Sequence, residues 1–219
     1  YFIVVTNAWM QHPVGHQVLP DGRIELVSLS AYLTNPWAFV QVAHTLCGSL
    51  VTAFTVTAAL GAFYALMKTH EAHAKKLLTV GVFGAAIASI GMAMPTGDLQ
   101  ARLVVKHQPA AFAAMEGHFH TEDSAGLALI GQPNMDTLTL DNPIVVPSAL
   151  SFMTFQRFDA RVLGLTEFPR DEWPDNVPLL YYSYHLMVGL GTIMIALFCG
   201  AALLAWRKRL FSSRAALWP

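Results

Sequence analysis

The stretch FVQVAHTLCGSLVTAFTVTAALGAFYALM, residues 39–67, contains no Asp, Glu, Lys or Arg. A membrane-spanning helix needs about 20 consecutive apolar residues, so this run is long enough to cross a bilayer with some tilt. One histidine, His44, lies close to its beginning. An imidazole inside an apolar span is costly to bury in lipid and usually faces a partner within the protein. The stretch therefore predicts a transmembrane helix in which His44 binds a partner.

The composition of the whole chain agrees with a membrane protein. Of its 219 residues 54% are hydrophobic and 12% are charged, whereas a soluble domain is about 25% charged. The net charge of -1 gives no argument about nucleic acid, and no basic patch interleaved with aromatic residues occurs, so we expect no nucleic-acid partner. The two cysteines, Cys47 and Cys199, lie in apolar runs, so we expect buried thiols rather than a disulfide or a zinc site.

The distribution of charge predicts an all-α integral membrane protein with three complete transmembrane helices, the tail of a fourth, and a long extracytoplasmic loop. The complete helices are predicted at 39–67, 77–95 and 178–206. Residues 1–10 are too short to span, so we interpret them as the end of a helix and the chain as an internal fragment of a longer protein. The other predicted segments are an outer connector (11–38), a cytoplasmic connector (68–76), the long outer loop (96–177) and a cytoplasmic tail (207–219).

Basic residues predict the orientation of these spans in the lipid membrane. The connector 68–76 and the tail 207–219 hold seven of the 13 Lys and Arg residues, and basic residues favour the cytoplasmic side of short loops. Three crossings then place 11–38 and 96–177 outside. The segment 96–177 carries 11 of the 14 acidic residues and is too long to be a simple turn.

His44 and Met187 are candidate axial ligands of one haem. Both lie near the outer ends of their predicted helices, and at 1.5 Å per residue their depths differ by only about 6 Å. A haem iron with His and Met ligands is low-spin, and the thioether raises its potential. A methionine in a membrane helix is more often a packing residue. His185 competes with Met187, because two residues on a helix are about 200° apart and cannot both face one iron.

The loop segment QPAAFAAMEGHF, residues 108–119, surrounds one carboxylate, Glu116, with apolar side chains. We expect a short amphipathic segment at the membrane interface. Apolar surroundings would raise the pKa of Glu116, so that it could accept a proton when a bound hydroquinone is oxidised. The alternative is a solvated surface carboxylate.

The remaining histidines give weaker signals. His70 and His73 lie in the basic connector, where we expect them to be solvated at the interface. His118 and His120 form an H-x-H pattern in the loop, a weak metal signal without further ligands. We expect this pair to be solvated as well.

Four motifs together resemble subunit I of the cytochrome bd quinol oxidases, over essentially the whole chain. They are NAWMQHP at 7–13, NPWAFVQVAHT at 35–45, GDLQ at 97–100 followed by the 108–119 segment, and PLLYYSYHLMVGLGT at 178–192.

The resemblance implies that His44 and Met187 hold the low-spin haem b, and that 96–177 is the quinol-binding loop with Glu116 at its site. The implied activity is that of a respiratory quinol oxidase that reduces oxygen, in a bacterial plasma membrane and with a second subunit. High-spin haem b and haem d would be bound by residues outside this chain, so the fragment alone is expected to be inactive.

The chain departs from the family pattern at two positions. A lysine that precedes the loop glutamate by five residues in well-known members is replaced here by Ala111, so Lys106 is the candidate quinol-binding lysine. Position 185 is Arg in many members and His here. The loop lacks a long insert and resembles the shorter, cyanide-insensitive-type branch.

Two other functions stay open from the residues. A bis-histidine membrane b-type cytochrome would use His44 and His185 and have no oxidase activity. A transporter or receptor without haem would have the same spans and a large outer loop.

Overall fold

The computed structural model describes residues 1–212 and residue 217. The helices are α1 (Phe2–Gln11), α2 (Leu29–Leu33), α3 (Pro36–Leu66), α4 (Glu71–Gly91), α5 (Asp98–His107), α6 (Pro109–Glu116), α7 (Ala149–Phe155) and α8 (Val177–Trp206). The strands are β1 (His16–Val18), β2 (Ile24–Leu26), β3 (Glu122–Asp123), β4 (Leu127–Asn134), β5 (Thr139–Val146) and β6 (Arg161–Val162). A π-helix (Met92–Gly97) joins α4 to α5, and short 3-10 helices lie at Leu165–Glu167, Arg170–Glu172 and Leu210–Ser212.

The mostly helical fold with three long apolar helices is confirmed. The helical stretches that are long and apolar enough to cross a membrane are Leu29–Leu66, Glu71–His107 and Val177–Trp206. The second stretch begins at Glu71 rather than at the predicted residue 77, because a helical first turn tolerates a charged residue and a glutamate there suits the helix dipole. Of the predicted tail 207–219, residues 213–216, 218 and 219 lie outside the described part.

The expectation of an all-α protein was wrong in one respect. Within the described residues, three two-stranded antiparallel ladders form: β1 with β2, β3 with β6, and β4 with β5. Their strands lie in segments predicted as connectors, and β1, β2 and β3 contain no buried residue. Such short, solvent-facing strands lack the alternation of apolar and polar residues that identifies a strand in a sequence.

The chain divides into two compact units. The first contains residues 1–9, 14–98 and 190–219, as far as they are described, and the second contains residues 10–13 and 99–189. In the first unit, small residues bring α3 and α4 together. A β-carbon on Gly61 of α3 would collide with the backbone of Leu78, and one on Gly81 of α4 would collide with the backbone of Ala58. Small residues at such contacts let helix backbones approach closely in lipid.

The beginning of α3 and the end of α4 have clear local causes. Asn35 caps α3, since its side-chain oxygen accepts from the Trp37 amide at 3.0 Å, and Pro36 occupies the first turn. After the end of α4, Pro95 cannot donate the backbone hydrogen bond of a regular α-helix. The helix there widens into the π-helix, the form that such a disruption often takes.

The second unit has its own apolar core around α6. Its buried residues come from α6, from the segments that follow it and from the first residue of α8: Ala110, Ala113, Ala114, Phe119, Leu165 and Val177. The ladder of β4 and β5 is part of the same unit and contributes Leu140 to this core.

Candidate functional site

His44 lies on α3 in the first unit and is held by one ring nitrogen. Its Nδ1 atom is 3.1 Å from the Thr96 hydroxyl, which belongs to the π-helix. The same hydroxyl is 3.1 Å from the Gly91 carbonyl oxygen and 3.0 Å from that of Met92. Within the described residues, His44 makes no other hydrogen bond, so its Nε2 atom has no protein partner.

Met187 lies on α8 and belongs to the second unit. The residue is 55% exposed among the described residues, so much of its surface is not covered by this chain.

His185, the competing ligand, is occupied on both ring nitrogens. Its Nδ1 atom is 3.0 Å from the Tyr181 carbonyl oxygen, and its Nε2 atom is 3.0 Å from the Ala128 carbonyl oxygen in β4. Both ring nitrogens therefore face carbonyl oxygens, and neither faces an open site for a metal ion.

Glu116 is the last residue of α6 and is buried, with 5% of its surface exposed. Gly117 ends the helix with a φ of 64°, and a β-carbon there would lie 2.8 Å from the Tyr181 ring. A side chain would therefore be strained at this position as well as crowded. The alternative of a solvated surface carboxylate for Glu116 was wrong.

Burial governs the electrostatics of Glu116. Desolvation raises the pKa of the carboxyl group, while hydrogen bonding by the Tyr184 hydroxyl and the charge of His185 act in the opposite direction. Within the described part of the chain, the buried Oε2 atom has no hydrogen-bond partner, and neither has the Tyr181 hydroxyl. The carboxyl group is therefore inclined toward its neutral form and has an oxygen free to bind a proton.

The sequence did not reveal that residues on one face of α8 lie beside Glu116. Tyr181, Tyr184 and His185 are spaced at i, i+3 and i+4, so they share a helix face. The Tyr181 and His185 rings stack with centroids 3.9 Å apart. The signal was present in the sequence as YYSYH, but its relation to Glu116 depends on a contact across more than 60 residues.

A cavity of about 400 Å³ opens beside α5 and α6 in the second unit. Lys106 and Arg102 of α5 and Phe112 of α6 contribute to it. The remaining lining residues are mostly apolar: Val105, Pro109, Thr154, Phe155, Val162 and Leu163. Lys106 thus lies at a cavity, whereas Glu116 is outside its lining and one helical turn after Phe112.

Cys47 and Cys199 are free thiols, and both are half-buried rather than fully buried. Four of the other histidines differ in their exposure. His118 is buried, its Nε2 atom lies 3.2 Å from the Val162 carbonyl oxygen, and burial lowers its pKa, so the expectation of a solvated His118 was wrong. His120, His70 and His73 are exposed. Among the described residues, no group of three or more His, Cys, Asp or Glu side chains is arranged to hold a metal ion.

Comparison with known proteins gives matches over the whole chain. The family model described as cytochrome bd terminal oxidase subunit I matches residues 1–218. The cytochrome bd ubiquinol oxidase subunit 1 of Bacillus subtilis (strain 168) is 28% identical over 223 residues, which cover 98% of this chain and 47% of that protein. The putative cytochrome bd menaquinol oxidase subunit I of the same organism is 32% identical over 225 residues, covering 99% and 49%.

A solved structure shows the same fold. The bd oxidase from Geobacillus thermodenitrificans superposes with a TM-score of 0.87 at 28% identity, covering 99% of this chain and 49% of that chain. The chain spans about half the length of the curated relatives it matches.

Proposed function

Because the chain belongs to the cytochrome bd terminal oxidase subunit I family, as its motifs predicted, we propose that it is the part of a respiratory quinol:oxygen oxidoreductase that oxidises quinol. The remaining parts of such an oxidase, including the ligands of high-spin haem b and haem d, would lie outside these residues. The fragment alone would therefore not reduce oxygen. A second subunit and lipid would cover the apolar outer face of α8, whose most apolar stretch has no buried residue within the described chain.

The proposed quinol site is the cavity beside α5 and α6. Its lining is mostly apolar, with the charged groups of Lys106 and Arg102 among it. An apolar cavity with a few polar groups is typical of a small-molecule site, and 400 Å³ accommodates an aromatic head group. Lys106 would donate a hydrogen bond to a quinol oxygen and would replace the family lysine that is missing at Ala111.

Glu116 would receive a proton from the quinol. Oxidising a quinol to a quinone releases two electrons and two protons, so the site needs a base. The raised pKa of Glu116 makes it a stronger base than an ordinary carboxylate, and its unpartnered Oε2 atom can hold the proton. The carboxyl is buried rather than open to water, and the Tyr184 hydroxyl is its hydrogen-bond donor.

His44 and Met187 fit a low-spin haem b. The Nδ1 atom of His44 lies at the Thr96 hydroxyl while Nε2 has no partner among the described residues, and Met187 is 55% exposed. An imidazole nitrogen and a thioether sulfur are one donor pair that makes a haem six-coordinate and low-spin, and such a haem would take up single electrons. The protein would lie in the bacterial plasma membrane with the 96–177 segment outside.

The alternative bis-histidine cytochrome is disfavoured by the two carbonyl contacts of His185. The test is the near-infrared charge-transfer band between methionine sulfur and ferric iron in the complete oxidase. We expect this band in the wild type and its loss in Met187→Leu, with the low-spin optical signal becoming high-spin or falling in potential. Loss of the low-spin signal in His185→Ala, together with its survival in Met187→Leu, would assign the ligand to His185.

A further inference from the structure

The hydroxyl group of Thr96 has only one proton, and the direction of its donation follows from the groups around it. The hydroxyl oxygen lies 3.1 Å from the Gly91 carbonyl oxygen and 3.0 Å from the Met92 carbonyl oxygen. Both are acceptors without a proton, so the hydroxyl must donate toward them. This donation also provides a partner for the Gly91 carbonyl, to which residue 95 would donate in a regular α-helix if it were not proline.

The consequence for His44 is a defined tautomer. A hydroxyl whose proton is given to the carbonyl oxygens can only accept from a third partner, and the third partner here is Nδ1 of His44 at 3.1 Å. The ring therefore carries its proton on Nδ1. Its Nε2 atom then has a lone pair and, within the described residues, no hydrogen-bond partner.

The backbone of the π-helix holds this contact in place. A β-carbon on Gly97 would lie 3.8 Å from the Cε1 atom of His44 and 2.8 Å from the Met92 carbonyl oxygen. The segment therefore runs close to the edge of the imidazole ring, and the ring is positioned by the wide helical turn that follows from Pro95. A regular α-helix with alanine at 95 would not need the hydroxyl of Thr96 for the Gly91 carbonyl.

We propose that Thr96 is a positioning residue for His44, whose hydroxyl accepts from Nδ1–H and directs Nε2 toward the haem iron. This inference rests on the proposed role of His44 as a haem ligand. An acceptor on the distal nitrogen of a ligating histidine fixes its tautomer and orientation and increases its basicity, and loss of such an acceptor typically lowers metal affinity 10–100-fold. A more basic imidazole favours ferric over ferrous iron, so Thr96 lowers the midpoint potential.

The test is redox titration of low-spin haem b in the complete oxidase carrying Thr96→Val or Thr96→Ser. Valine has nearly the shape of threonine without the hydroxyl, and serine keeps the hydroxyl. We expect a higher midpoint potential in Thr96→Val, by about 59 mV for each tenfold loss of preference for ferric iron, and the wild-type value in Thr96→Ser. Thr55→Val is the matched control, because among the described residues the Thr55 hydroxyl donates only to the Val51 carbonyl of the same helix.

Each outcome decides the proposal. A wild-type potential in Thr96→Val overturns it. If Thr96→Val binds no haem, binding by Thr96→Ser supports the role of the hydroxyl, and failure of Thr96→Ser as well overturns it. His44→Ala separates this inference from the proposed function: low-spin haem that survives His44→Ala refutes the ligand role itself, whereas its loss alongside an unchanged Thr96→Val refutes only the role of Thr96.

Discussion

His44 and Glu116 are both polar side chains in apolar surroundings, but they differ in their hydrogen bonds and in their burial. Among the described residues, His44 makes one hydrogen bond and its other ring nitrogen has no partner. Glu116 is buried, one of its oxygens has no partner in the described part of the chain, and burial raises its pKa. On the proposed function, the first arrangement suits a permanent ligand of fixed geometry, and the second suits a group that gains and loses a proton. Met187, the other proposed haem ligand, belongs to the same unit as Glu116, so the difference lies in the surroundings of single side chains.

The largest expected effect concerns the proton acceptor. Glu116→Gln in the complete oxidase should slow quinol-driven oxygen consumption by about 10²-fold or more, the usual range for loss of a general base. An artificial electron donor that bypasses the quinol site should still support oxygen reduction. Glu122→Gln is the matched control, since Glu122 is exposed, and it should change little. Equal rates for Glu116→Gln and the wild type with haem b intact would remove the carboxyl from the proton path.

The second prediction tests the close contact between α3 and α4 in the first unit. Gly81→Leu places a side chain against the backbone of Ala58, so it must separate α3 from α4. Overpacking of this kind costs about 1–3 kcal/mol, which lowers the Tm by several degrees when thermal loss of the low-spin haem signal is followed. Gly200→Leu is the control, because within the described residues no atom lies within 4 Å of its β-carbon position. An equal Tm for the two variants would contradict the close α3–α4 contact.

A smaller effect is expected at the quinol cavity. Lys106→Met removes one charged hydrogen-bond donor, worth about 1.5 kcal/mol, so the KM for quinol should rise about tenfold while kcat changes little. Lys75→Met, on an exposed lysine of the predicted cytoplasmic connector, should leave KM unchanged. An unchanged KM in Lys106→Met would place the quinol elsewhere in the second unit.

The sequence predicted the long helices well because the absence of charge over 20 or more residues is a strong local signal. It also singled out Glu116, the one carboxylate in an apolar segment, and the structure shows that this side chain is buried. Lys106 was chosen from the family resemblance, and its role stays a prediction. What it could not predict depends on contacts between distant residues. Thr96 meets His44 across 52 positions, and the burial of Glu116 depends on tyrosines more than 60 residues later.

Two features of the loops were predicted wrongly from the sequence. His118 looked solvated because it lies in a long polar segment, yet the Val162 backbone, 44 positions away, provides its partner. The ladders of the outer segments were missed because most residues of their strands are not buried. Local composition therefore predicts which segments enter a membrane, but not which loop residues are withdrawn from water.

The most direct measurement of the central claim is the rate at which quinol reduces low-spin haem b in a rapid-mixing experiment, followed as a function of pH. Burial raises the pKa of Glu116, so the carboxyl becomes protonated, and ceases to be a base, at a higher pH than an ordinary glutamate would. In the wild type we expect the rate to fall toward acid pH with an apparent pKa above that of a solvated glutamate. In Glu116→Gln the rate should be about 10²-fold lower and should lack this fall, with an unchanged haem spectrum. The same rate and the same acid limb in both proteins would contradict the role of Glu116 in quinol oxidation.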